Sequence, residues 1–194
     1  MDSKLGLVRD FAALAHEGQQ RRYTPDPYIV HPVRVMELCA FHGADRCIQY
    51  AALLHDVLED TDVTLEQMQI FLHSVLGTED AVRTLGLVVE LTDVYTKAHY
   101  PGWNRQKRRQ KEAQRLGRTS AGAQTIKYAD IIDNCNGIAK HDPDFGPLFL
   151  HECTLVLDRI REGNSALHEQ ARRTVQEEQH SLMMVKEYNK RHTA

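Results

Sequence analysis

The run Leu53-Leu54-His55-Asp56-Val57-Leu58-Glu59-Asp60 sets four ionisable side chains into an otherwise apolar segment. Buried charges are costly unless compensated, so something must pair with them. Read as a helix, His55 meets Glu59 and Asp56 meets Asp60 at i, i+4, which makes one polar strip of about one and a half turns. Adjacent imidazole and carboxylate can ligate a divalent cation, and the two acids one turn on can act as general acid or base toward a water. The dipeptide alone says little: with 11 histidines in 194 residues, about one His-Asp pair is expected by chance. The second one, His141-Asp142, runs into Pro143 and reads as a turn. What raises His55-Asp56 above chance is its apolar setting and the acids that follow. Two more donors are available, His31 before Pro32 and Asp130 within Ile126-Lys127-Tyr128-Ala129-Asp130. Together they make a His2Asp2 set of nitrogen and oxygen donors, suited to Mn²⁺, Fe²⁺ or Zn²⁺ and unsuited to soft-metal chemistry.

These residues have to be brought together by helices. Leu5, Val8, Phe11, Ala12 and Ala15 recur at helical spacing up to Gly18. Pro25 and Pro27 make the stretch from Arg21 to His31 a loop, with Pro32 at a first helical position. Val35, Met36 and Cys39 carry a second helix to Gly43, and Ile48, Ala51, Ala52, His55 and Leu58 carry a third of about four turns. Thr64-x-x-Gln67 is a capping box opening a fourth that runs to Gly77, and Leu85, Val88, Val89 and Leu91 mark a fifth. Asn104 caps a polar helix that ends at Gly117, and Ser120 caps the helix bearing Asp130. Two closing helices near 147–162 and 165–189 are split by Gly163-Asn164. With alternating strand patterns scarce, the expectation is an all-α fold of roughly eight helices, one domain over residues 1–194.

Composition narrows the function classes. Lys and Arg total 24 against 27 Asp and Glu, a formal net charge of −3, which argues against a general nucleic-acid binder. Mean hydropathy is −0.48, and no stretch approaches the ~20 apolar residues needed to span a bilayer. Met1-Asp2-Ser3-Lys4 has no secretory pattern. Cys39, Cys47, Cys135 and Cys153 show neither metal nor disulfide-scaffold spacing and read as buried thiols of a cytoplasmic protein. No oligomeric state is assigned from sequence. Basic charge is instead local: Lys97, Arg105, Lys107, Arg108, Arg109, Lys111, Arg115 and Arg118 share their stretch with Glu112 as sole counter-charge. That fits either an anionic substrate or a solvated polar helix. Trp103 beside it reads as a stacking or a hinge-packing residue.

Several separated motifs in order resemble the HD-domain metal-dependent phosphohydrolases, and more narrowly the hydrolase domain of Rel/Spo-type alarmone enzymes and the stand-alone small alarmone hydrolases. They are Ala15-His16-Glu17-Gly18-Gln19 with Arg21-Arg22, Pro27 to Pro32, Leu54 to Thr61, Leu91-Thr92-Asp93, and Ile126 to Asn134. The resemblance implies His31, His55, Asp56 and Asp130 as ligands of one Mn²⁺, with Glu59 and Asp60 positioning and deprotonating the attacking water. It implies Arg21 and Arg22 next to the nucleotide and Lys127 and Asn134 lining the same pocket. The implied reaction is hydrolysis of the 3′-pyrophosphate of (p)ppGpp to GDP or GTP and pyrophosphate. Three segments depart from the family: the loop Tyr23-Thr24-Pro25-Asp26-Pro27, Tyr128 at an aliphatic position, and Ile131-Ile132-Asp133 before the asparagine. They surround the nucleoside, which makes (p)ppApp an alternative substrate. Rival readings are another HD nucleotide phosphohydrolase, a 5′-nucleotidase or NADPH phosphatase, and a non-catalytic alarmone-binding module.

Overall fold

A computed structural model describes residues 3–192; Met1, Asp2, Thr193 and Ala194, the outer ends of the expected domain, lie outside the described residues. The helices are α1 (Ser3–Ala15), α2 (Val30–Phe41), α3 (Arg46–Leu54), α4 (Val57–Asp60), α5 (Leu65–Val75), α6 (Thr78–Leu91), α7 (Arg105–Leu116), α8 (Ala121–Cys135), α9 (Ile138–His141), α10 (Gly146–Leu157) and α11 (Ser165–His192). No strand occurs among the described residues, where Gln20 and Pro27 form an isolated bridge across the proline loop.

Local sequence explains where several helices begin. Thr64 Oγ1 accepts from the Gln67 amide while Gln67 Oε1 accepts from the Thr64 amide, so the capping box of α5 is complete. Asn104 Oδ1 accepts from the Lys107 amide at 2.8 Å and opens α7. Ser120 Oγ accepts from the Ala123 amide and opens α8. At the Gly163-Asn164 turn, Asn164 Oδ1 accepts from the Leu167 amide at the head of α11. A Cβ on Gly163 would stand 2.8 Å from the Thr125 nitrogen and 2.6 Å from Tyr128 Cε2. Glycine is required there by close approach to α8.

The expected third helix is broken. It ends at Leu54, and the chain turns at His55 and Asp56 before the single turn of α4. The His55 Nδ1–H donates to the Ala52 carbonyl, a side-chain bond that competes with the helical ladder. This break and the single-turn α9 raise the helix count above roughly eight.

The core forms around α3 and α8. Leu53, Leu54, Ile126, Tyr128 and Ala129 are fully buried, and truncating such a leucine to alanine costs about 2–5 kcal/mol. Helix α3 packs on α1, α2 and α6, while α8 packs on α2, α3, α6, α10 and α11. Helices α2 and α8, which carry His31 and Asp130, and α3, which ends just before His55, are therefore mutual neighbours, and the core holds them rigidly. Of the apolar cluster near the C-terminus, Leu182 is buried whereas Met183 and Met184 are exposed. All four cysteines are free and buried.

Candidate metal centre and cleft

His31 is fully buried in the first turn of α2. Its Nδ1 lies 2.7 Å from Asp133 Oδ2 on α8, so the Nδ1–H points at that carboxylate and the Nε2 lone pair faces the other way. His55 is oriented in the same manner by the Ala52 carbonyl, 2.9 Å from its Nδ1. The two Nε2 atoms face common carboxylates. His31 Nε2 is 3.2 Å from Asp130 Oδ1 and 3.5 Å from Asp56 Oδ2, and His55 Nε2 is 3.1 Å from Asp56 Oδ2 and 3.7 Å from Asp130 Oδ1. None of these approaches meets hydrogen-bond geometry, and both Nε2 atoms are buried without a hydrogen-bond partner. Orphaned buried nitrogens are rare in folded proteins. Ligand atoms of His31, His55 and Asp56 all lie within 4.8 Å of one another, which suits a divalent cation, and Asp130 closes the same group.

The electrostatics of the cluster point the same way. Burial opposes protonation of His31, yet Asp130, Asp133 and Asp56 raise it to about 9. Burial likewise opposes charge on His55, and Asp56 and Asp130 still push it well above the usual imidazole range. Asp56 and Asp130 are desolvated, but the facing imidazoles, and Lys127 beside Asp130, hold both carboxyls well below the ordinary carboxylate value. The site attracts positive charge, and a divalent ion supplies it without two buried imidazolium groups.

Around this centre opens a cavity of about 230 Å³ lined by His55, Asp56, Glu59, Asp93, Lys127, Asp130 and Asn134. The break after Leu54 leaves Glu59 on α4 facing it. Burial and the neighbouring Asp93 carboxylate push Glu59 up to about 7, with Lys127 pulling the other way. Its Oε1 accepts from the Asp93 amide. The Lys127 ammonium is 2.7 Å from Asp130 Oδ2. Partly desolvated, it is nonetheless held in its charged form by Asp130 and Asp93. Asn134 Nδ2 donates to Asp130 Oδ1 at 2.6 Å.

Three of the expected site residues sit further out. Asp60 lines two other cavities beside Glu59, and its Oδ2 is 3.4 Å from the Tyr28 hydroxyl. Arg21 bonds Asp133 and Asn134 at the edge of a second cavity of about 550 Å³, which shares Tyr28, Asn134 and Phe149 with the first. Arg22 reaches that second cavity and pairs with Asp142 instead of the metal-side cleft. The Asp142 carboxylate also accepts from the Tyr23 hydroxyl and the Phe145 amide, so the His141-Asp142 turn anchors the proline loop.

The basic stretch is less free than its sequence suggests. Arg105 pairs with Glu152, Arg109 with Asp93 and Glu152, and Arg115 with Glu112, which is itself buried. Arg109 alone of the eight cations reaches the metal-side cavity. Trp103 stacks in a cluster with Tyr95 and Tyr100, with the Lys107 ammonium over its ring; it packs the hinge before α7.

Sequence reasoning missed Tyr28 and Asp133 as site residues. Tyr28 donates from its hydroxyl to Asp56 Oδ2 at 2.6 Å, and Asp133 orients His31. Asp133 stands at i+3 from Asp130 on one face of α8, a spacing that was available as a signal. Gln19 of the first motif donates to the Asp60 carbonyl at 2.6 Å, tethering the end of α4.

Comparison with known proteins places the chain. A family model described as HD domain matches residues 9–119, more than half of the chain, and stops before α8. The human protein named guanosine-3′,5′-bis(diphosphate) 3′-pyrophosphohydrolase MESH1 is 32% identical over 139 residues, covering 70% of this chain and 69% of that one. The Drosophila melanogaster protein of the same name is 31% identical over 137 residues, covering 69% and 68%. A solved structure described as a metazoan ortholog of SpoT that hydrolyzes ppGpp superposes with a TM-score of 0.75 at 25% identity, covering 91% of this chain and 96% of that one. That likeness covers more of the chain than the family model does. On motif, sequence and fold together, the chain belongs to the HD-domain family, among relatives of MESH1 and SpoT.

Proposed function

We propose that the chain hydrolyses the 3′-pyrophosphate of (p)ppGpp, releasing pyrophosphate and GDP or GTP, with His31, His55, Asp56 and Asp130 holding one Mn²⁺. The observation that carries the reading is the pair of buried, partnerless Nε2 atoms facing two carboxylates beside Glu59. The substrate follows from the named activity of relatives that match about 70% of the chain. A divalent ion in such a set supplies Lewis acidity and makes water a better nucleophile near neutral pH.

The residues of the chain supply the rest. Glu59, deprotonated near neutrality and steadied by the Asp93 amide, takes the proton of the attacking water. Asp60, tied by its backbone to Gln19, helps position that water. The water oxygen bonds to phosphorus as the bond to the ribose 3′-oxygen breaks. Lys127 offsets phosphoryl charge in a partly desolvated cleft. Arg21 and Asn134 stand where the metal-side cavity meets the second, larger one, which gives the nucleoside and 5′-phosphates room. Arg22 lines the far side. The protein acts on a small nucleotide in the cytoplasm, in keeping with a net charge of −3 and the absence, among described residues, of a helix long and apolar enough to cross a membrane.

Pyrophosphate release is to be measured on ppGpp and ppApp, and orthophosphate release on GMP and NADPH as controls, under Mn²⁺, Mg²⁺, Zn²⁺ and chelator. Chelator-sensitive release from ppGpp, fastest with Mn²⁺, is expected. Turnover of GMP or NADPH alone would overturn the substrate, tight ppGpp binding without turnover would overturn the enzyme, and a preference for ppApp would transfer the reading to adenosine.

A further inference from the structure

Cys135 ends α8 five residues after Asp130, and Cys153 lies on α10 in the wall of the metal-side cavity. The two Sγ atoms are 3.7 Å apart, with Cys135 donating. The other thiols are set differently. Cys47 donates to Asp80 Oδ1 at 3.4 Å, and Cys39 is fully buried in the core. We propose that Cys135 and Cys153 form a reversible disulfide under hydroperoxide, and that closing it lowers turnover in the adjoining cleft.

The chemistry balances with the oxidant named. Cys153 is 6% exposed and Cys135 is fully buried, so a small hydroperoxide entering the cavity meets Cys153 first. The hydrogen bond to Cys153, and then burial, hold the Cys135 thiol protonated, which leaves Cys153 as the sulfur that reacts. Its sulfur takes one peroxide oxygen as the O–O bond breaks, giving a sulfenic acid and water when the peroxide is H2O2. The Cys135 sulfur then attacks that of Cys153, its proton passing to the departing oxygen; the S–S bond forms, the S–O bond breaks and a second water leaves. Net, two thiols and one H2O2 give one disulfide and two waters, and a dithiol reductant reverses the step.

The effect on the cleft follows from what adjoins each cysteine. A disulfide bond is near 2.05 Å, so closure draws the sulfurs about 1.7 Å nearer than their 3.7 Å contact. Asn134, next to Cys135, holds Asp130 and accepts from Arg21. Glu152, next to Cys153, holds Arg105 and Arg109. Closure therefore pulls on one carboxylate of the metal cluster and on one cation of the cleft. The consequence for turnover rests on the proposed hydrolase activity; the disulfide does not.

The reduced full chain is treated with H2O2 and followed by intact mass, by peptide mapping and by pyrophosphate release from ppGpp with Mn²⁺. A loss of about 2 Da, a Cys135–Cys153 cross-linked peptide and free Cys39 and Cys47 are expected. Turnover should fall at least about tenfold, return with dithiothreitol and be resistant to peroxide in Cys135→Ala. Cys135→Ser replaces that variant should it fail to fold. Cys153 trapped as a sulfenic acid, or both thiols left free, overturns the disulfide. A cross-link with unchanged turnover overturns its coupling to the cleft. Should the reduced protein turn over no ppGpp, the activity reading fails separately; the cross-linked peptide still decides the disulfide and Mn²⁺ affinity by calorimetry decides the coupling.

Discussion

The metal-side cluster and the basic stretch of α7 follow opposite courses from sequence to structure. His31, His55, Asp56 and Asp130 are scattered over a hundred residues, yet α2, the α3–α4 break and α8 bring them into one group. The cations from Lys97 to Arg118 are close together in the chain but disperse in space. Three of them are taken by Asp93, Glu112 and Glu152, and the exposed Lys111 and Arg118 border a separate cavity. Charge that is dense along a chain is therefore not charge delivered to a site. Near a partly buried surface each guanidinium gains more from a fixed carboxylate than from facing water. A cluster with orphaned nitrogens is the opposite case, since the Nε2 atoms of His31 and His55 stay without a hydrogen-bond partner until a cation arrives.

The contrast breaks most readily at Asp56. Asp56→Ala is expected to abolish Mn²⁺ binding by calorimetry and to leave pyrophosphate release below about one thousandth of wild type, the scale of several kcal/mol of lost transition-state stabilisation. Retained metal-dependent activity in that variant would remove the cluster as the reaction centre. Glu59→Gln comes next, with a loss of about a hundredfold or more in kcat and little change in metal affinity. Because Glu59 is raised to about 7 and acts as its anion, wild-type kcat should climb between about pH 6 and 8 and the variant should lose that rise.

A smaller effect tests orientation. Asp133→Asn weakens the partner of the His31 Nδ1–H and should reduce Mn²⁺ affinity about 10–100-fold while the fold is retained. An unchanged affinity would mean that His31 keeps its orientation through packing alone. Smallest of all, Lys111→Ala and Arg118→Ala should alter stability by no more than about 0.5 kcal/mol in denaturant titration and leave KM for ppGpp unchanged. A clear rise in KM from either would show that the dispersed cations still act on the substrate, and would collapse the distinction between the two regions.

Caps, periodicity and motif order were legible in the residues themselves because each depends on a few near neighbours. Thr64 with Gln67, Asn104 and Ser120 start their helices where short-range hydrogen bonding requires, and the apolar stripes identify the all-α class. The HD-family resemblance also named residues 31, 55, 56, 59, 127, 130 and 134, which line or adjoin one cavity. The break between α3 and α4 was not legible, since His55 competes for the Ala52 carbonyl only once its Nε2 is committed to the cluster. Nor were Tyr28 against Asp56, Asp133 against His31, or Glu152 against Arg105 and Arg109. The sequence by itself determined that His55 would sit among buried apolar residues, because periodicity sets a residue's face of a helix, but not that Glu59 and Asp60 would be exposed beyond the break. Tertiary structure alone decided which charged groups meet, because pairing between distant segments depends on how α2, α8 and α10 pack, and desolvation then makes every buried charge find the nearest partner that packing offers.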